Sequence, residues 1–410
     1  INGVAEDNIA SWNGTAAANI TSVNGDTWTH GLSATAWVWG YDDYGSAAQG
    51  LPGNVGGGQY AYSSPVQIIE ALTDNEEWSA IGVATDHTSF IKNGTLWAVG
   101  QDYGAFGRGD ETLARFESTP VQVGTKSDWA SISGTYLGAI GIDTAGKMWA
   151  WGTEQRGGLG QGTTAVHLSI PTQIGSATNW VPHKVRGSGS DATVAINAAG
   201  ELYAWGDNRK GQFGNGTVVV HSVPVQTGSD TNWAMVDVSG EGTVVAIKTD
   251  GTLWSWGNAA YGALGNNTST PSRSSPVQVG SATNWGRVAV IYSRGFYAVK
   301  TDGTLWSWGD NTKGELGHGD KVVRSVPTQV GSETNWVYDE YGYMDGSDKN
   351  FQIINQSGEL WTVGHNSNFG QLGDGTAVDR STLVQVGSAT DWLRVESGWS
   401  GTNYALRTTA

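Results

Sequence analysis

The sequence predicts an all-β fold of seven four-stranded sheets that pack face to face. Three observations predict it: a tryptophan-rich motif recurs seven times, each copy carries the same four strand-like segments, and apolar residues alternate with period two. Successive copies are separated by 60, 52, 54, 51, 52 and 55 residues, and such a period is typical of propellers, solenoids and repeat arrays. The motif copies end at Gly40, Gly100, Gly152, Gly206, Gly257, Gly309 and Gly364.

Each element of a repeat has its own signal, shown here for the fifth copy in chain order. A first strand begins at a lone tryptophan, Trp233, and a second covers residues 244–248, which are apolar except for Lys248. The Asp-Gly pair at 250–251 predicts a hairpin turn, because glycine adopts a positive φ without a Cβ clash. The motif strand at 253–257 follows. A glycine-rich bend then leads to a short fourth strand of the Pro-Val-Gln-Val type at Pro276.

The tryptophans have a structural explanation. Of the 21 in the chain, 18 occupy three repeat positions. In the segment 253–256 the two indole rings share one face of the strand, while Leu253 and Ser255 share the other. Bulky rings at fixed positions are expected to fill the space between neighbouring sheets. We therefore predict that the tryptophans form the core between sheets.

These motifs resemble the regulator of chromosome condensation repeat family. The residues that carry the resemblance are Gly-x-Leu-Trp-x-Trp-Gly, a glycine-rich segment of which 311–319 is a good copy, and Pro-Val-Gln-Val-Gly. The resemblance covers about residues 35–410 and implies a seven-bladed β-propeller over that range. The family includes a guanine-exchange factor and a plant ultraviolet-B photoreceptor. No residue of this sequence can be matched to the residues that carry exchange activity in the family. The photoreceptor's repeated Gly-Trp-Arg-His-Thr cluster is present only as a single degraded copy at 398–402.

The two ends of the propeller are predicted to close the ring together. The C-terminal segment 404–410 resembles 245–250, the strand that precedes a hairpin turn and its motif strand. The first motif strand, 35–39, has no clear strand pair upstream of it. Residues 393–410 are therefore expected to supply the two missing strands of that blade, which removes free sheet edges.

Composition excludes several classes of function. The 410 residues contain no cysteine, so disulfides and thiolate metal sites are excluded. The net charge of −16 with few charges overall argues against a nucleic-acid partner, which requires clustered Lys and Arg. No run of 18 apolar residues occurs, so membrane insertion is not expected.

No catalytic, cofactor-binding or metal-binding residue is predicted. The seven histidines are dispersed, and none is paired at i+2 or i+4 as metal ligands often are. The glycine-rich bend at 211–216 recurs in most repeats and no helix follows it, so it does not match a phosphate-binding loop. We therefore predict that the chain is not an enzyme and takes no cofactor.

Residues 1–34 are predicted to form a separate N-terminal segment. Asn-Gly pairs follow at intervals of 11 residues within 1–25, a pattern similar to Asn-Gly repeats of phage and phage-like structural proteins. Two copies of so short a unit cannot bury a core. We expect this segment to lie outside the ring and to anchor the chain to another chain. Because the first residue is Ile1, we also expect an upstream segment that is removed or not included.

The predicted binding face is formed by the loops that lead into the strand before each hairpin turn. Equivalent positions of a propeller share a face, so these loops should project from one side. The repeats also differ most in two tyrosine-rich insertions, 41–62 and 338–345. Tyrosine offers contact area with few rotatable bonds, although ordinary solvated loops are the alternative. The predicted partner-binding residues are Tyr41, Tyr44, Asp86, Tyr136, Asp191, Glu241, Tyr292, Arg294, Tyr341, Tyr343 and Trp399.

These observations favour a non-catalytic binding or structural propeller. The specific hypothesis is a virion surface protein, either a capsid decoration or a tail adhesin, located on the virion surface or outside the cell. Its partners would be other virion or assembly subunits, or a cell-surface glycan. The alternative is a secreted bacterial propeller module that binds or inhibits another protein, and an enzyme ranks third.

Overall fold

The described residues fold into seven antiparallel, four-stranded sheets and include one short 3-10 turn at Ala260–Gly262. This arrangement confirms the predicted fold class. The computed structural model describes residues 34–42, 60–68, 78–85, 87–102, 106–109, 115–164, 166–188, 191–292, 294–338, 342–366, 369–398 and 401–408. The predicted N-terminal segment 1–34 lies outside this set except for its last residue.

The sheets are numbered as blades, and each runs from an inner strand to an outer strand. Blade 1 comprises β27 (Trp392–Ser397), β28 (Thr402–Thr408), β1 (Ala34–Asp42) and β2 (Tyr60–Gln67). Blade 2 comprises β3 (Trp78–Val83), β4 (His87–Lys92), β5 (Thr95–Asp102) and β6 (Arg115–Val123). Blade 3 comprises β7 (Trp129–Gly134), β8 (Leu137–Asp143), β9 (Met148–Glu154) and β10 (Val166–Gln173). Blade 4 comprises β11 (Trp180–Gly187), β12 (Ala192–Asn197), β13 (Leu202–Gly206) and β14 (His221–Gln226).

Blades 5 to 7 repeat the same order. Each inner strand contacts the inner strands of the two adjacent blades, and β27 contacts β3, so the blades form a closed ring around a central axis. Blade 5 comprises β15 (Trp233–Val238), β16 (Thr243–Lys248), β17 (Leu253–Gly257) and β18 (Arg273–Gln278). Blade 6 comprises β19 (Trp285–Ile291), β20 (Gly295–Lys300), β21 (Leu305–Gly309) and β22 (Arg324–Val330). Blade 7 comprises β23 (Met344–Gly346), β24 (Asn350–Ile354), β25 (Leu360–Gly364) and β26 (Arg380–Gln385).

Blade 1 closes the ring, as predicted from the sequence. Strand β1 pairs with β28 from Ala34↔Thr408 to Gly40↔Thr402 without a register shift. Both described strands that follow position 391, β27 and β28, therefore belong to the same sheet as β1. Joining the two ends in one sheet leaves no unpaired inner edge at the seam.

The repeated tryptophans fill the space between blades, which confirms the packing prediction. Trp256 of blade 5 is fully buried, and its indole Nε1 donates a hydrogen bond to the Gln212 carbonyl of blade 4 at 2.7 Å. Each such indole therefore links two blades through one buried polar contact as well as through apolar area. The same bond recurs from Trp39 to Gln371, from Trp205 to Gly158 and from Trp308 to Ala263.

Where the second tryptophan of the motif is missing, a tyrosine of the preceding blade replaces it. Blade 7 carries Val363 at this position, and Tyr297 of blade 6 stacks on Phe351 with ring centroids 3.6 Å apart. The Tyr297 hydroxyl donates to the Glu315 carbonyl at 2.8 Å. Blade 2 shows a related exchange, in which Tyr404 of blade 1 packs near Phe90 and Val99.

The outer parts of neighbouring blades are joined by backbone hydrogen bonds. A backbone N–H in the connection between the third and outer strands of one blade donates to a serine carbonyl on the outer strand of the next blade. Among the described residues such bonds join six of the seven neighbouring pairs, from blade 2 through blade 7 to blade 1, and hold these blades together at the perimeter. The described pairs are Gly109 to Ser169, Gly162 to Ser222, Gly216 to Ser274, Asn267 to Ser325, Gly319 to Ser381 and Gly375 to Ser63.

Candidate partner-binding face

The connections between the inner and second strands of the blades meet at one end of the ring. We call the described residues of these connections the upper rim: 84–85, 135–136, 188, 191, 239–242, 292, 294, 347–349, 398 and 401. Backbone hydrogen bonds join adjacent connections. The Thr85 N–H donates to the Tyr136 carbonyl at 3.3 Å, and the Tyr292 N–H donates to the Ser347 carbonyl at 2.9 Å. The rim connections of blades 2 and 3, and those of blades 6 and 7, are therefore joined directly.

Tyr292 packs against the neighbouring blade at the rim. Its ring rests on Gly240 of the adjacent blade so closely that a Cβ at this glycine would overlap it. Burial and the nearby carboxylates of Glu241 and Asp348 raise the pKa of Tyr292 to about 12. The phenol consequently stays neutral at physiological pH and presents a hydroxyl and a flat ring edge at the rim.

Arg294 connects three parts of the same surface. Its Nη2 lies 3.1 Å from the Glu241 Oε1, and its guanidinium carbon lies 4.8 Å from the centre of the Tyr261 ring. The backbone of Arg294 has a φ of 119°, a conformation that non-glycine residues rarely adopt. Its carbonyl accepts a hydrogen bond from the Asp310 N–H at 3.2 Å, which fixes the turn.

Tyr136 is the most exposed aromatic side chain of the rim. It is 43% exposed, although its backbone carbonyl is held by Thr85. The side chain therefore projects into solvent from a fixed backbone. Exposed tyrosines on rigid backbone are common anchors in protein interfaces, because little conformational freedom is lost on binding.

A pair of buried carboxyl groups lies beside the rim in blades 3 and 4. Asp191 and Glu154 share a side-chain hydrogen bond, and the Arg156 Nη1 lies 3.1 Å from the Asp191 Oδ2. Burial, followed by the charge of Asp191, raises the pKa of Glu154 to about 7. Burial also raises the pKa of Asp191. The pair thus holds a proton near neutral pH and is a structural support for the rim.

The structure brings some of the predicted residues together and separates others. Tyr41 ends strand β1 near blade 7, with its ring 4.3 Å from that of Phe369. Tyr343 precedes β23 and is buried in the core of blade 7, so it lies at the opposite end of the inner strand from the rim. Four predicted residues lie outside the described part of the chain: Tyr44, Asp86, Tyr341 and Trp399.

Beneath the rim, the axis encloses a charged cavity of about 80 Å³ that the sequence analysis missed. Arg186, Arg287 and Asp237 line it together with Asp345 and Glu396. Asp237 accepts hydrogen bonds from two backbone N–H groups, and the carboxyl groups of Asp345 and Glu396 are hydrogen-bonded to each other. Burial raises the pKa of each of these three acids. The sequence did contain a signal for this cavity, because its charged residues lie on inner strands that are otherwise apolar.

The described residues include neither a cluster of potential metal ligands nor a membrane-spanning helix. In that part of the chain, no group of three His, Asp or Glu residues is arranged to hold a metal ion. The same residues form no helix that is long and apolar enough to cross a membrane.

Comparison with known proteins agrees with this geometry. The family model "Regulator of chromosome condensation (RCC1) repeat" matches residues 199–246, 250–291 and 302–343. The ultraviolet-B receptor UVR8 of Arabidopsis thaliana is 28% identical over 335 residues, which cover 78% of this chain and 73% of the receptor. Together with the fold, these matches define an RCC1-like seven-bladed propeller. The chain therefore carries RCC1 repeats, as the sequence motifs predicted.

Two solved structures share the fold. Human WBSCR16 aligns with a TM-score of 0.76 and 18% identity, covering 92% of this chain and 99% of that one. Prp20p of Saccharomyces cerevisiae also gives a TM-score of 0.76, with 16% identity and coverage of 93% and 92%. At these identities the likeness concerns the fold alone.

Proposed function

We propose that this chain is a non-catalytic protein-binding propeller and that the upper rim is its binding surface. The observation that carries the proposal is the rim itself, where the backbones of Tyr136 and Tyr292 are each hydrogen-bonded to a neighbouring blade and the side chain of Arg294 pairs with Glu241 of blade 5. Tyrosine and arginine are the residues most enriched at the energetic centres of protein interfaces. The surrounding carboxylates, including Glu241, favour a partner with complementary positive charge.

A protein ligand fits the site better than a small molecule. The cavity below the rim measures about 80 Å³, whereas pockets for small ligands usually have volumes of about 300–1,000 Å³. Prp20p, which shares the fold, has been characterised for its binding properties to Gsp1p and histones. That protein is an example of this fold acting through protein contacts.

The proposal is tested by removing the rim side chains without disturbing the blades. The Tyr136→Ala/Arg294→Ala double variant should bind the native partner at least about tenfold more weakly, because interface anchors contribute about 2 kcal/mol or more when truncated. A suitable control is Val219→Ala/Arg273→Ala, which changes two exposed residues of the perimeter. Binding would be measured with partner co-purified from the source organism. Equal binding by both double variants would refute the rim as the binding surface.

The finer hypothesis of location rests on the sequence alone. We propose a virion surface or extracellular setting, supported by the 11-residue Asn-Gly repeat of residues 1–25, the net charge of −16 and the absence of cysteine. A secreted bacterial module is the alternative. The relatives reported above come from a plant, human and yeast and give this location no support. Capsid or tail genes beside the reading frame would favour the first setting, and an upstream secretion signal would favour the second.

A further inference from the structure

At the end of the ring opposite the upper rim, five blades hold a basic side chain over two aromatic rings. We call this end the lower face; it contains the hairpin turns between the second and third strands. In blade 6 the Lys300 Nζ lies 4.8 Å from the Trp285 ring centre and 4.1 Å from that of Trp306. At these distances a ring attracts a cation. The other sets are Lys92 with Trp78 and Trp97, Lys126 with Trp129 and Trp149, Lys248 with Trp233 and Trp254, and Arg407 with Trp37 and Trp392.

Blades 4 and 7 keep the aromatic pair but have no basic residue over it among the described residues. Trp336 and Trp361 of blade 7 lie 6.2 Å apart at 84°, compared with 5.8 Å and 79° for the lysine-bearing pair of blade 6. Trp180 and Tyr203 of blade 4 lie 5.2 Å apart at 79°. The rings are therefore arranged for a cation whether or not the blade supplies one.

In these two blades an asparagine replaces the basic residue, and a glutamate lies nearby in the hairpin turn. Asn355 occupies the strand-end position that Lys300 occupies in blade 6, and Glu359 follows four residues later. The Asn355 Nδ2 donates to the Glu359 Oε2 at 2.6 Å, while its Oδ1 accepts two backbone N–H groups of the hairpin turn. The amide is thus held in the turn. Asn197 and Glu201 repeat this arrangement in blade 4.

Blade 3 shows how such a site is completed when the strand supplies an acid. Asp143 occupies the strand-end position there, and the cation is Lys126, which comes from the connection that precedes the blade. The Lys126 Nζ lies 2.9 Å from the Asp143 Oδ2 and 4.9 Å from the Trp149 ring centre. A carboxylate beside an aromatic pair therefore receives a lysine from another segment of the chain.

We infer that the aromatic pairs of blades 4 and 7 each receive a lysine side chain from a partner protein. Four of the five basic residues in the equivalent sites are lysines. Glu201 and Glu359 are partly exposed and accept N–H donors, which favours an unmodified lysine over a trimethylated one. The net charge of −16 also favours a basic partner segment. This surface is distinct from the upper rim and does not depend on it.

The test uses N-acetyl-lysine methylamide as the probe and the indole ¹H–¹⁵N signals of ¹⁵N-tryptophan-labelled protein as the readout. Titration should shift the signals of Trp180, Trp336 and Trp361 and leave those of Trp285 and Trp306 unchanged. The norleucine, arginine and trimethyl-lysine analogues should each bind more weakly than lysine. Shifts at the lysine-filled blades, or equal shifts with norleucine, would overturn the inference. Tighter binding of either other cation would overturn the choice of lysine.

Variants that give blade 7 the residues of a lysine-bearing blade provide the control. Asn355→Lys/Glu359→Thr should reduce the apparent affinity at the blade 7 signals about tenfold, while the blade 4 signals keep their wild-type titration. Asn355→Lys alone provides a second variant if the double variant fails to fold. Ser229→Lys/Ser281→Lys makes the same charge change at exposed positions of the lower face and should leave both titrations unchanged. The inference would be contradicted if Asn355→Lys/Glu359→Thr kept the wild-type titration at the blade 7 signals. It would also be contradicted if Ser229→Lys/Ser281→Lys lost as much affinity there.

Discussion

Replacing Tyr297 by phenylalanine tests how the ring compensates for a missing tryptophan. The side chain is fully buried between blades 6 and 7, where its ring stacks on Phe351. Its hydroxyl makes one hydrogen bond, to the Glu315 carbonyl at 2.8 Å. Phenylalanine keeps the ring and the stacking, so the substitution removes the hydroxyl with little change in packed volume.

The expected cost follows from the carbonyl that loses its donor. A buried polar group left without a partner costs about 1–3 kcal/mol. For a chain of 410 residues, an unfolding entropy of about 2 cal/mol/K per residue gives roughly 0.9 kcal/mol/K in total. Tyr297→Phe should therefore lower Tm by about 1–3 °C.

The assay is thermal unfolding followed by circular dichroism, with Tyr261→Phe as the control. Tyr261 is 45% exposed, and removal of a solvated hydroxyl should change Tm by less than about 0.5 °C. A Tyr297→Phe protein as stable as the control would show that the hydroxyl does not replace the indole N–H bond found in blades 1, 4, 5 and 6. A decrease in Tm much larger than about 3 °C would show that the aromatic ring at position 297 also changes its packing.

Three further predictions concern the seam, the buried acid pair and the rim. Deletion of residues 393–410 should lower Tm by more than about 10 °C, because it removes both strands that pair with β1; a shift as small as that of a surface-loop deletion would contradict closure at blade 1. The raised pKa of Glu154, about 7 against 4.5, means that the folded state takes up a proton before the unfolded state does. The contribution of Glu154 to stability should therefore rise as pH falls from 8 to 5. In urea titrations, the stability of Glu154→Gln relative to the wild type should consequently fall over this range, and an unchanged difference between the two proteins would refute the assignment. Gly240→Ala should displace the Tyr292 ring and weaken partner binding with only modest loss of stability, and a variant with wild-type affinity would exclude a role for that ring.

Periodic residues were predictable because each repeat carries the same physical requirement. Trp256 and its equivalents recur at fixed spacing, since every pair of blades needs a bulky residue at the same place. The replacement of the second motif tryptophan of blade 7 by a tyrosine of blade 6 was not predictable in this way. It joins Tyr297, Phe351 and Val363, which lie on different blades and come together only when the ring is built.

The candidate site was predictable only in part, for a similar reason. Loops at equivalent repeat positions do share a rim, which placed Tyr136, Glu241 and Tyr292 on one surface. Tyr343 was assigned to the same set, but blade 7 has its extra residues before the inner strand instead of after it. Trp336 consequently forms only an isolated bridge, and Tyr343 packs in the core. A residue-by-residue alignment of repeats cannot show on which side of a short strand an insertion lies.

The most direct test of the proposed function is site-specific photocrosslinking from the upper rim. A benzoylphenylalanine residue placed at Tyr136, which is exposed on a fixed backbone, should crosslink the native partner protein. The same residue placed at Val219, on the perimeter, should crosslink it at a much lower yield. Equal yields from both positions, or a product only from the perimeter, would contradict the account that this propeller binds its partner through the upper rim.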